Sequence, residues 1–142
     1  MTREKLTRRK FEMLDSELLS FRDIDKKIAK RKREVEQLLN FDKPERIGSK
    51  SNVISSPVER IVTAWDEDTA LMSLNAYKFA VNVLMTYLDS KNRAIFDLRY
   101  HEEFSRGYTW EEIAELVGLS EKMVKQKAEV ILRLFSNLRG YD

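Results

Sequence analysis

Leu14, Phe21, Ile28 and Val35 stand seven residues apart, and neither glycine nor proline interrupts the chain between residues 3 and 40. That spacing predicts one long helix over 3–40 with a narrow apolar seam, to which Phe11, Leu18, Leu38 and Leu39 add and near which Ile24 lies. So narrow a seam needs a partner helix. The run from Lys26 to Arg33 (KKIAKRKR) crosses the seam with positive charge. It reads either as a patch that touches DNA backbone or as the solvated face of a coiled coil, its long stems covering apolar surface. The second reading is the commoner one for charge runs on helices.

The periodicity stops at residues 41–56, where Pro44, Gly48 and several serines predict a flexible linker. Ser56, Pro57 and Glu59 then read as a capping box with proline at the favoured first position. A second long helix follows to about Leu88, carrying Val58, Ile61, Trp65, Met72, Phe79, Val83 and Leu84. If the two helices run antiparallel, Asp66, Glu67 and Asp68 face the Lys/Arg run; such pairs are worth roughly 0.5 kcal/mol each but help fix register. Residues 1–88 therefore read as a helical hairpin or coiled coil, formed within one chain or between two. Asp89 and Ser90 cap a third predicted helix from Lys91 to about Phe104, whose Ile95, Phe96, Leu98 and Tyr100 supply core. Phe104, Tyr108 and Trp110 cluster around the turn that follows, and an aromatic group there is more often core than a base-stacking platform.

Residues 109–127 read TWEEIAELVGLSEKMVKQK. Thr109 and Glu112 form a capping box, Ile113, Ala114, Leu116 and Val117 recur at helical spacing, and Gly118 stands where a left-handed residue would close the helix. Leu119 would plug the corner and Ser120 would cap a second helix, in which Val124, Ala128 and Ile131 or Leu132 share a face. The first helix carries Glu111, Glu112 and Glu115; the second carries Lys122, Lys125, Lys127 and Arg133. This is the pattern of a helix-turn-helix, in which basic and amide side chains near the start of the second helix reach phosphates and base edges. The bland alternative is any helical hairpin.

Residues 88–134 also resemble the fourth conserved region of bacterial sigma factors: Leu88, the helix from Arg93 to Tyr100, then TWEEIA, VGLS, VKQ and a trailing ILRL. Within that resemblance the chain is most similar to the ArpU/RinA-like group of phage late-transcription regulators, which end in a tail like Ile131–Leu138. The resemblance implies sequence-specific DNA binding in transcription control by a C-terminal domain over 89–142. Two features depart from sigma region 4. Glu121 precedes Lys122 where a basic residue usually precedes an acidic one, which implies a different target, and the connection from Tyr100 to Thr109 is longer, which suits the phage regulators.

On this reading the recognition helix spans about 121–135. Lys122, Lys125 and Gln126, with Glu121 and Glu129, would read the major groove, while Lys127 and Arg133 hold phosphates and Arg99 and Arg106 contact the backbone. Two alternatives stay open: a protein that docks on RNA polymerase or a sigma factor without a DNA site of its own, and a small terminase subunit, which more usually places its DNA-binding part first.

Composition narrows the rest. Hydrophobic residues make up 42% and charged ones 35%, with four glycines and two prolines, as expected of an all-α chain. Net charge is only +2, so attraction to nucleic acid depends on where charges sit. With no cysteine and one histidine, His101, disulfides, thiolate zinc sites and histidine-rich metal sites are excluded. Glycine-rich phosphate loops are absent too, so neither an enzyme nor a bound cofactor or metal is expected. No apolar run approaches the ~20 residues of a membrane span. The expected setting is the cytoplasm, with double-stranded DNA as partner, RNA polymerase as a second, and a homo-oligomer through the N-terminal helices.

Overall fold

A computed structural model describes residues 6–41, 56–101 and 107–141, and every regular element among them is helical. In chain order these are α1 (Arg8–Leu19), a 3₁₀ turn (Ser20–Asp23), α2 (Ile24–Phe41), α3 (Pro57–Glu67), α4 (Thr69–Tyr87), α5 (Ser90–Arg99), α6 (Trp110–Val117) and α7 (Glu121–Arg139). None of the described helices is long and apolar enough to cross a membrane.

The helix expected over 3–40 starts later and is interrupted. Thr7 caps α1 by accepting the Lys10 N–H at 3.1 Å. At Ser20 the side-chain hydroxyl donates to the Glu17 carbonyl at 2.6 Å, and the backbone tightens into a 3₁₀ turn before α2 resumes. The helix expected from Pro57 to about Leu88 is likewise divided, because Asp68 is extended (ψ 120°) and its carboxylate accepts the Leu71 N–H at 2.9 Å. That is a capping geometry, and it restarts the helix as α4. The third helix closes at Arg99, short of Phe104, which lies outside the described residues together with most of the linker expected over 41–56.

The chain divides into two compact units, one joining the residues up to Ile24 with those from Tyr77 onward, the other taking Asp25–Ala76. This cuts differently from the division at residue 88 that the sequence suggests. The reason lies in α1, whose buried Leu14 and Leu18 share a core with α5 and α7. Aromatic rings knit that core: Phe21 meets Phe96 and Tyr77 at 6.4 Å between centroids, and Tyr77 meets Phe135 edge-on at 6.0 Å. Fully burying each such ring is worth about 1.5–3 kcal/mol. Ile113, Val124, Ile131 and Leu132 complete the core, but Leu116, expected among them, is 59% exposed. The short α6 buries only Ile113 and Ala114, and Leu116 falls on its outer side.

In the second unit α2 and α3 run in opposite directions. Arg31 meets Asp68, the Lys32 carbonyl accepts the Trp65 indole N–H at 3.3 Å, and Glu36, Leu39 and Asn40 face Pro57, Arg60 and Ile61 across a cavity. Arg31 and Asp68 make a two-pronged pair at 2.7 and 2.9 Å, so Asp68 of the acidic cluster meets Arg31 of the basic run. Val35 is buried here, whereas α3 buries no residue.

Candidate nucleic-acid interface

The α6 to α7 connection is set by local chemistry. The Glu112 N–H donates to Thr109 Oγ1 at 3.1 Å and the Thr109 N–H donates back to Glu112 Oε1 at 2.9 Å, so both orphan donors are met. Gly118 ends α6 in the left-handed region (φ +72°), which a side chain would strain even though a Cβ there meets nothing within 4 Å. Leu119 donates its N–H to the Ala114 carbonyl at 3.1 Å, and Ser120 Oγ accepts the Met123 N–H at 3.1 Å to open α7. Val124, Ala128, Ile131 and Leu132 are then fully buried on one face.

The opposite face carries the expected contact residues. Glu121, Lys122, Lys125 and Gln126 are all exposed, within the first two turns, where unpaired backbone N–H groups add positive potential. Lys125 reaches Glu121 at 3.4 Å, with both side chains half exposed, a pair that costs little to break. Lys127 is half-buried beside this face.

Three other expected contacts have different surroundings. Glu129 receives Arg133 at 2.8 Å and the Leu6 backbone N–H at 2.9 Å, and both side chains are largely covered. It is therefore committed to holding the start of α1 against α7. Arg99 is turned inward. It grips Asp15 at 2.6 and 3.1 Å, donates to the Tyr108 carbonyl at 2.9 Å and lies 4.0 Å over the Trp110 ring. A guanidinium so engaged ties α1, α5 and the approach to α6 together, which replaces the backbone contact expected of it. Arg106 lies outside the described residues.

The Tyr100 hydroxyl also donates to Asp15. Burial, reinforced by that carboxylate, pushes the Tyr100 phenol well above its usual pKa, so it stays a proton donor. The network was not read from the sequence, although one signal was there: Asp15 is an acid beside Leu14 on the apolar stripe, and a buried carboxylate demands a cationic or hydrogen-bonding partner. Nothing local named that partner, because it stands on α5.

Between α1 and α7 lies an open groove of about 1010 Å³, with Leu6, Phe11 and Trp110 in its lining and Lys122, Lys125 and Gln126 along one wall. The ring of Phe11 packs on Trp110 at 5.9 Å. Glu12, Asp15, Glu121 and Glu129 line it as well, so cationic, anionic, amide and aromatic groups meet at one surface of this unit.

The family described as Protein of unknown function (DUF722) matches residues 21–137, and the chain belongs to it. No curated protein and no solved structure matches the chain.

Proposed function

We propose that this DUF722 member is a sequence-specific DNA-binding regulator of phage or prophage transcription, acting in the host cytoplasm. In this reading α6 and α7 form a helix-turn-helix of the sigma region 4 and ArpU/RinA-like kind, and α7 enters the major groove. The observation that carries it is the two-sidedness of α7. Its first turns expose Lys122, Lys125 and Gln126 while Val124 and Ala128 behind them are fully buried. A rigid helix with polar readers on one side and core on the other is what major-groove reading requires. Lys125 and Lys122 suit guanine, Gln126 suits adenine, and Lys127 suits a phosphate. The helices before residue 88 would set oligomeric state or touch polymerase.

The test is selection of bound duplexes from a random pool, with a Lys122→Ala/Lys125→Ala/Gln126→Ala variant beside the wild type. Enrichment of one motif, lost in the variant, is expected; enrichment of none would end the regulator reading. Lys125→Ala alone should weaken specific binding by about 1–3 kcal/mol if Lys125 reads a base.

A second reading, docking on RNA polymerase or a sigma factor, is favoured by one observation. Leu116 and Met123 are 59% and 45% exposed on either side of the turn, where a DNA reader needs no apolar surface. Under that reading, polymerase retention should fall for Leu116→Asp and be unchanged by the triple α7 variant.

A further inference from the structure

The helix α4 is apolar on two faces. Tyr77, Ala80, Val81 and Leu84 are buried on one. On the other, Phe79 and Tyr87 are 70% and 66% exposed, with Val83 midway between them in sequence. Phe79, Val83 and Tyr87 are each four residues apart and so line a single stripe, flanked by the exposed and uncharged Asn82 and Thr86. Lys78 is the only charged residue from Thr69 to Tyr87, in a chain that is 35% charged. A helix apolar all round is ordinarily covered on both sides.

We infer that a second copy of this chain covers that stripe, through antiparallel pairing of two α4 helices about a two-fold axis at Val83. Two features select this occupant. The stripe offers no charge to pair with a nucleic acid or an acidic or basic protein, whereas an identical neutral stripe matches it. Its order is also symmetric about Val83: antiparallel pairing sets Val83 against Val83 and Phe79 against Tyr87 twice. Such self-complementarity is what an isologous contact requires. Phenylalanine and tyrosine are residue types enriched at the centres of interfaces. One helix face supplies less than the ~800 Å² per partner of a standard stable interface, so the pairing belongs with the weak, reversible ones.

This inference rests on the self-association part of the reading above and not on DNA binding. The experiment is sedimentation of the full chain over a range of micromolar concentrations, for wild type and Phe79→Asp, together with crosslinking of Val83→Cys by a short bismaleimide. Because the natural chain has no cysteine, the introduced thiol is the only one, and Glu111→Cys on α6 serves as control. A monomer–dimer equilibrium is expected, weakened about tenfold or more by Phe79→Asp, with Val83→Cys joined into dimers and Glu111→Cys left monomeric. Phe79 is largely exposed, so its variant should melt as the wild type does. A monomer at every concentration overturns the inference and the self-association reading together. A dimer untouched by Phe79→Asp and not trapped through Val83→Cys puts the interface elsewhere and overturns this inference alone.

Discussion

Each of the two units is pinned by an arginine that grips an aspartate with both prongs, near a tryptophan. In the larger unit Arg99 holds Asp15, with side chains 14% and 12% exposed, and Tyr100 and the Tyr108 carbonyl complete the set of partners. In the smaller unit Arg31 holds Asp68 at nearly the same distances, but Arg31 is 30% exposed and shares itself with Glu34 at 3.4 Å. The same chemical device serves two purposes. Where water is excluded, losing one partner strands a charge; where water reaches, the pair chiefly sets register.

The two tryptophans allow the contrast to be read unit by unit, since Trp110 lies under Arg99 and Trp65 lies near Lys32 at 4.5 Å. Replacing the other tryptophan with phenylalanine leaves one reporter each. The largest effect should come from Asp15→Ala, which leaves Arg99 covered and uncompensated: a loss of about 3–5 kcal/mol in denaturant unfolding followed at Trp110. A loss below about 1 kcal/mol would mean that water already reaches the pair.

A smaller effect is expected at Tyr77, whose hydroxyl donates to the Glu17 carbonyl at 2.7 Å. Tyr77→Phe should cost about 1 kcal/mol. Burial, only partly opposed by Ser20, pushes the Tyr77 phenol from 10.0 up to about 12. Its contribution is therefore complete below pH 10.0 and disappears as pH rises through about 12. In alkaline titration, stability should fall less steeply in that window for Tyr77→Phe than for the wild type, the remaining loss coming from Tyr100, whose phenol is also raised.

The smallest effect belongs to Arg31→Ala, visible at Trp65 as a slight loss of thermal stability that shrinks in high salt. The Arg31 hydrogen bond, aided by the Leu71 N–H, holds the Asp68 carboxyl down from 3.8 to about 2. A depressed carboxylate stabilises the fold above its unfolded value, so this contribution is present above pH 3.8 and lost as pH falls through about 2. Acid titration that is identical for wild type and Arg31→Ala would erase the proposed contrast.

Local chemistry was legible in the sequence. Thr109, Gly118, Ser120, Asp89 and Ser56 all do what their residue types and spacing predict, because a cap needs only its own next turn. Apolar periodicity was legible too, and it misled where it ran through a break. The stripe continues across Ser20–Asp23, yet the backbone there follows a serine hydroxyl. Asp68 was readable as a partner for the basic run, but it is also a cap, and one carboxylate serves both uses. What could not be read was long-range pairing. Asp15 meets Arg99 from α5, and Glu129, beside its neighbour Arg133, also takes the Leu6 N–H from far away in sequence, and so the inward turn of Arg99 stayed hidden behind a side chain that looked fit for a phosphate.

The larger unit is discontinuous, and this has a consequence for how the chain is made. A ribosome finishes α1 before its partner α7, which follows only after all of Asp25–Ala76 has been synthesised. The inner segment can therefore fold while the outer one is still waiting. Among the described helices α1 is made before its partners and is among the last to be secured, and closing the larger unit carries the entropy of a loop containing the whole of the smaller one.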